Sequence, residues 1–200
     1  MSRSFFEAVK SRRSYYALSK DPVATDERIE EIVGEAVKHV PSSFNSQGGR
    51  VVILLGDHHD RLWDLTKAEL MKIVAPEGFP ATEAKIDGAF RSGYGSILYF
   101  EDTSVVEGLQ QKFPLYRENF PVWASQSSAM LQFAIWTALE QEGFGATLQH
   151  YNPIIDEAVK EAWGVPATWR LIAQMPFGKP VGQPAEKEFQ PLAGRVKLFK

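Results

Sequence analysis

Two short stretches of this chain carry residue types suited to holding a charged, flat ligand. Arg12-Arg13-Ser14 sets two cations and a hydroxyl together near the end of an early helix pattern. Guanidinium forks match phosphate oxygens, and a serine adds a short donor beside them. Downstream, Pro41-Ser42-Ser43-Phe44-Asn45-Ser46-Gln47 is too polar for a core. The side chains of Ser42, Ser43, Asn45 and Gln47 donate to and accept from a heteroaromatic ring. Taken singly, each stretch has an ordinary explanation. Paired arginines at a helix end complement its dipole in water, and the second run could be a capping loop. Together and in this order they point to a site for a phosphorylated aromatic cofactor.

The elements that must position these residues follow from the hydrophobic periodicity. A first helix is expected from Ser4 to about Arg12, with Phe5, Ala8 and Val9 on one face. Thr25 caps a second helix through its acidic first turn, Asp26-Glu27. Ile29, Ile32, Val33, Ala36 and Val37 then recur at helical spacing until Pro41 ends it. Ser42 to Gly49 is therefore a loop held at a helix C-terminus, a place where binding residues collect. Buried strands are expected at Arg50–Gly56, Gly95–Phe100, Ala146–Gln149 and Trp169–Met175. Helices are expected at His58–Val74, Thr82–Phe90, Pro121–Glu142 and Pro153–Trp163. The helix beginning at Pro121 is so apolar that it belongs in the core or at a subunit interface. After Gly178 the chain turns Pro- and Gly-rich and ends in Val196-Lys197-Leu198-Phe199, an extended arm of the sort that packs on a partner. The order of elements is that of an α+β fold, helices around a four- or five-stranded sheet.

Composition narrows the chemistry. The 200 residues suit one domain, residues 1–200, and a net charge of -3 offers no field to recruit nucleic acid. There is no cysteine, so no thiolate nucleophile, iron–sulfur cluster or disulfide is available, and redox chemistry must come from a bound cofactor. No apolar run reaches the roughly 20 residues of a membrane span. The first residues run straight into a polar helix pattern with no signal peptide. A cytoplasmic protein with no membrane partner is expected.

A third group, Gln149-His150-Tyr151-Asn152, falls at the end of a predicted strand, where ligands are often handled. It could equally be a turn in which Asn152 caps the following helix. His58 and His59 are neighbours on a helix, so their rings diverge and a shared metal ion is not expected. Gly143-Phe144-Gly145-Ala146 lacks the third glycine of a dinucleotide fingerprint, and there is no P-loop, nucleophile elbow or HExxH. Trp123, Phe133, Trp136 and Phe144 read as core. Phe113 to Trp123 reads as a broad loop whose aromatic residues either cover a flat ring or pin the loop to the core.

Arg12-Arg13-Ser14, the Pro41–Gln47 loop, the Gly143-Phe144-Gly145 turn and Pro184-Ala185-Glu186-Lys187, in that order, resemble the FMN-dependent nitroreductase family over nearly the whole chain. The run Leu148-Gln149-His150-Tyr151-Asn152-Pro153 looks most like the short branch related to the fatty-acid-repression-mutant proteins. The resemblance implies a mostly antiparallel sheet and a homodimer that exchanges C-terminal arms, residues 178–200, with two FMN sites at its interface. By similarity, Arg12, Arg13 and Ser14 hold the flavin phosphate, with Tyr16 standing where relatives often carry a further cation. Ser42, Ser43, Asn45 and Gln47 line the ring and ribityl chain from the other subunit, and Leu148, Gln149, His150 and Tyr151 lie against the ring. Lys187 or Arg195 adds a phosphate cation, since Phe189 departs from the usual Lys-x-Arg spacing. NADH or NADPH is the implied electron donor, and nitroaromatics or quinones are the implied acceptors. No side chain is implied as a nucleophile and no metal is expected. Lys67 is a candidate for the pyrimidine end of the flavin, against the ordinary reading of a surface lysine. The altered positions Tyr16 and Phe189 leave a second reading open, a flavin-binding regulatory protein with little turnover.

Overall fold

The computed structural model describes residues 4–200. Met1, Ser2 and Arg3, on which the expectation about a signal peptide partly rests, lie outside the described residues. Helix α1 (Phe5–Ser11) opens with a reciprocal cap: Ser4 accepts from the Glu7 amide while the Glu7 carboxylate accepts from the Ser4 amide. Arg12 then turns extended, at φ -60° and ψ 113°, so the chain leaves the helix where its cations begin. Strand β1 (Leu18–Ser19) and helix α2 (Asp26–His39) follow, the latter capped by Thr25 as expected.

Beyond the polar loop come β2 (Gly49–Leu55), α3 (Asp57–Met71), α4 (Phe79–Ile86) with a widened turn at Asp87–Arg91, and β3 (Gly95–Asp102). Helix α5 (Thr103–Lys112) leads to α6 (Phe120–Glu142), β4 (Gly145–Ala146), α7 (Asp156–Trp163) and β5 (Trp169–Pro180). The strand pairings are antiparallel, in the order β1-β5-β3-β2, and β4 also pairs with β5.

All eight residues of β3 are buried because helices cover both sheet faces. Alternation sends Ile97 and Tyr99 toward α2 and α6, where they meet Val33, Leu131, Ile135 and Leu139. Leu98 and Phe100 point the other way, to Leu62, Trp63, Phe90 and Val159. The long strand β5 serves both cores and carries β1 and β4 on its far half.

Several expectations need correction. Helix α5 is not among the expected elements, since it buries no residue and gives little periodic signal. The third strand is only Gly145–Ala146, with Gln149 making an isolated bridge to Gln174. Asn152 does not cap α7, which starts later with Ile155 at the cap position. The Phe113–Trp123 loop holds a short 3-10 turn at Pro114–Tyr116, and α6 has already begun at Phe120. Phe133 is not core: with Val122 and Met130 it stays 39–54% exposed. At 100° per residue these three fall within about 80° of one another, forming an apolar stripe on the side of α6 turned from the sheet. Strand β5 runs on through Pro180, so the arm starts at Val181, whose amide bonds the Ala17 carbonyl at 3.0 Å.

Candidate functional site

Arg12, Arg13, Ser14, Tyr16 and Lys187 line one cleft of about 580 Å³ between the segment after α1 and the start of the arm. Ser14 bridges Ala146 of β4, and the Tyr15 amide bonds the Ala146 carbonyl at 3.0 Å, which fixes this segment against the sheet. Arg13 Nη2 donates to the Ala185 carbonyl at 2.5 Å and draws the arm across the cleft. The Arg12 guanidinium lies 4.4 Å from the centre of the Trp136 ring on α6. Its Nε is buried with no hydrogen-bond partner. Burial, and then the neighbouring charge of Arg13, lower the Arg12 pKa. Among the described residues no carboxylate pairs with this cation, and a phosphate supplies both the charge and the acceptors. Arg195 is exposed and does not line the cleft, so of the two arm cations it is Lys187 that joins the arginines.

Leu148, Gln149, His150 and Tyr151 follow β4, whose Ala146 bridges Ser14, but none of the four lines this cleft. Gln149 exchanges both backbone bonds with Gln174 (2.7 and 2.9 Å), and the Gln174 side chain accepts from the Tyr151 amide at 2.7 Å. Gln174 is fully buried, so it acts as an internal clamp on the segment. The His150 side chain is left exposed. Tyr16 and Tyr151 both approach the Phe90 ring, at 6.4 and 6.2 Å between centroids, which ties the two segments through one aromatic contact.

The Ser42–Gln47 loop is wound tightly and against preference. Phe44, Asn45 and Gln47 have φ of 58°, 51° and 51°. Asparagine tolerates this left-handed region, whereas phenylalanine and glutamine adopt it at a cost. Ser42 Oγ accepts from the Gln47 amide at 2.9 Å, and Arg50 Nη1 donates to the Gln47 carbonyl at 2.6 Å. Arg50 Nη2 reaches Asp102 at 3.0 Å, binding the loop to the cap of α5. Burial alone would raise the Asp102 pKa, but hydrogen bonds from Ser104 and Thr168 and the charge of Arg50 hold it below the usual value. Phe44 is anchored among Phe113, Tyr116, Phe120 and Trp123, with centroids 4.9–6.1 Å away. Backbone strain kept in place by so many contacts is a common mark of a functional loop.

Within one chain this loop does not meet the cationic cleft. Ser42 and Gln47 line a separate cleft of about 570 Å³ with Val37, Arg50, Ser127 and Leu131. Ser127 and Trp136 stand nine residues apart on α6, about 180° around the helix and about 13 Å along it. Ser43 and Asn45 belong to the same loop, Ser43 lining a small void beside the buried Glu101, whose pKa burial raises.

Lys67 is engaged elsewhere. It pairs with Asp87 at 2.8 Å and with Asp64 at 3.3 Å, and the Asp87 hydrogen bond raises its pKa. The two histidines diverge as expected, His58 accepting from Trp163 Nε1 at 3.2 Å while His59 turns inward to Ser96. Trp136 reads from the sequence only as core, and Arg50 and Gln174 carry no functional signal there. Trp136 and Gln174 act on segments distant in the chain, and Arg50 joins its own loop to Asp102, relations that no local pattern discloses.

The sequence pattern of the nitroreductase family matches residues 9–179. The chain belongs to the nitroreductase family. The nitroreductase FRM2 of Saccharomyces cerevisiae is 35% identical over 191 residues, covering 93% of each chain. HBN1 of the same yeast is 36% identical over 199 residues, covering 98% of this chain and 97% of that one. The nitroreductase CinD from Lactococcus lactis, solved in complex with chloramphenicol, superposes with a TM-score of 0.90 at 43% identity, over 98% of this chain and all of CinD. CinD structures with 4-nitrophenol and with nicotinic acid both superpose at 0.86, with 46% and 45% identity and the same coverage. This nitroreductase-family oxidoreductase thus shares the α+β fold of CinD, with seven α-helices and five strands among the described residues. No helix among them is long and apolar enough to cross a membrane.

Proposed function

We propose that this nitroreductase-family chain is an FMN-dependent NAD(P)H oxidoreductase that works as a homodimer and reduces small aromatic acceptors. The observation that carries the reading is the cleft of Arg12, Arg13, Ser14 and Lys187, with its buried, unpartnered Arg12 Nε. That donor set fits a phosphate monoester. When bound, FMN supplies the acceptance of a hydride from a nicotinamide donor and its onward delivery to an oxidised acceptor.

The chain's own work is to bind, orient and shield. Arg12 and Arg13 hold the phosphate, Ser14 adds a donor, and Trp136 keeps Arg12 in place from behind. Leu148 to Tyr151, braced by Gln174, offer a fixed wall to the flavin ring, with His150 free to face solvent or a ligand. Ser42, Ser43, Asn45 and Gln47 come from the second subunit, because within one chain they sit on the other side of α6. The exposed stripe of Val122, Met130 and Phe133 suits burial against that subunit. So do Leu192, Val196, Leu198 and Phe199, exposed along the end of the arm. We place the arm on the partner, beside the open edge of β2.

Acceptors follow from similarity: CinD was solved with chloramphenicol and with 4-nitrophenol, which favours nitroaromatics, with quinones as similarly flat acceptors. Its complex with nicotinic acid favours a nicotinamide donor. A second reading, a flavin-binding regulatory protein with little turnover, draws on Tyr16 and Phe189, which are 52% and 79% exposed where relatives carry cations. A visible spectrum of the purified protein, taken before and after anaerobic NADH and then NADPH, tests both. A flavin spectrum that bleaches supports the oxidoreductase. Flavin that neither donor bleaches supports the regulatory reading, and protein that stays colourless after incubation with FMN refutes both.

A further inference from the structure

A second cleft of about 430 Å³ adjoins the cleft of Arg12, lined by Val9, Lys10, Arg13, Glu186, Lys187 and Phe189. The two clefts share Arg13 and Lys187. Three cations face one carboxylate here, so the cleft is basic in a chain whose net charge is -3. Its floor is preformed, because Arg13 holds the Ala185 carbonyl at 2.5 Å and fixes the arm just before Glu186. Phe189 is 79% exposed, with Lys187 Nζ 5.3 Å from its ring centre. An exposed flat ring beside a set of cations meets the two needs of a nucleotide, a surface on which a base can stack and charge for its phosphate.

We propose that this cleft binds an adenosine phosphate, with the base on Phe189 and the phosphate between Lys10 and Lys187. The proposal rests on the flavin reading in one respect: it takes the neighbouring cleft to hold the FMN phosphate. Two molecules present this group next to that phosphate. One is FAD, whose second phosphate and adenosine extend beyond the position of the FMN phosphate. The other is NADPH, whose adenosine carries an extra phosphate on its ribose.

The test is binding to the full chain, read by calorimetry rather than by turnover. FMN-loaded protein is titrated with AMP and with 2′,5′-ADP, and apoprotein with FMN and with FAD. The expected result is that an adenosine phosphate binds the loaded protein, or that FAD binds the apoprotein more tightly than FMN does. Tighter FAD assigns the cleft to the flavin dinucleotide. Preference of the loaded protein for 2′,5′-ADP over AMP assigns it to the donor. Phe189→Ala should weaken that binding at least about fivefold, and Lys10→Gln should weaken it most at low salt. Neither substitution should alter the affinity for FMN. The proposal is overturned if no adenosine phosphate binds and FAD is no tighter than FMN, or if Phe189→Ala leaves the binding unchanged. Should FMN itself fail to bind, the flavin reading falls, while AMP titrated into the apoprotein and into its Phe189→Ala variant still decides the cleft.

Discussion

The Arg12 guanidinium rests 4.4 Å from the centre of the Trp136 ring, joining the end of α1 to the middle of α6. The contact offsets part of the cost of burying a cation whose Nε has no hydrogen-bond partner. It also points Arg12 into the cleft that Ser14 and Lys187 share.

Trp136→Leu should keep the fold, since Trp136 is only half-buried at the margin of the α2–α6 core. Arg12 would lose its stack, and affinity for FMN should fall about threefold to thirtyfold. Fluorescence titration with FMN, set beside a circular dichroism spectrum, checks this. Full affinity in the folded variant would show that the stack does not serve the site.

The loop strain offers an independent check. Phe44→Ala should destabilise the chain, because the ring leaves its four aromatic neighbours while a Cβ stays in the left-handed region. Phe44→Gly loses the same ring but releases the backbone, so it should be more stable than Phe44→Ala by about 1 kcal/mol. Urea unfolding of the two variants gives the comparison. Equal stability would mean that the backbone of Phe44 is not strained.

Arg50 is the second brace of the same loop. Arg50→Met removes the donors to the Gln47 and Gly49 carbonyls and leaves the buried Asp102 without its ion partner. A loss of about 2 kcal/mol is expected. Proteolysis within residues 42–47 should quicken in step, and a loop that stays resistant would assign the bracing to Ser42 alone.

His59 should make the protein acid-sensitive through a bonding chain that fixes its tautomer. Trp63 Nε1 donates to Ser96 Oγ at 3.0 Å, and His59 Nε2 faces the Arg91 carbonyl at 3.2 Å, so it carries the proton. Nδ1 then accepts from the Ser96 hydroxyl at 2.9 Å. Burial lowers the pKa to about 4 from 6.5. The unfolded chain therefore takes up the proton first, so this stability is complete above about 6.5, drains as pH falls, and is gone below about 4. It amounts to about 3 kcal/mol. Unfolding free energies of the wild type and His59→Gln, measured across that window, should converge as the solution is acidified. Parallel curves would contradict the assignment.

Much of this was legible in the sequence where periodicity was strong or residue types were unusual. Ile29, Ile32 and Val33 announced α2, and the apolar runs marked β2, β3 and β5. Arg12, Arg13 and Ser14 stand out in the sequence, with Lys187 or Arg195 as a further cation, and the fold sets the first three in one cleft with Lys187. What the sequence hid was of two kinds. Helix α5 packs no residue deeply, and β1 is two residues long, too short to carry a pattern, while the strand expected at Ala146–Gln149 is cut to Gly145–Ala146. Phe133 reads as core because an apolar residue looks alike in the sequence whether it faces the sheet or lies exposed on the other side of its helix. Trp136 and Gln174 act on segments far along the chain, a relation that only the fold creates.

The central claim is that Arg12 and its neighbours hold the phosphate of FMN. Calorimetric titration of FMN into apoprotein tests it most directly, run on the wild type and on Arg12→Met with matched circular dichroism spectra. One FMN per chain is expected to bind the wild type, and Arg12→Met should weaken it about tenfold to a hundredfold without unfolding. A wild-type apoprotein that takes up no FMN, or a folded Arg12→Met that binds it as tightly, would contradict the claim.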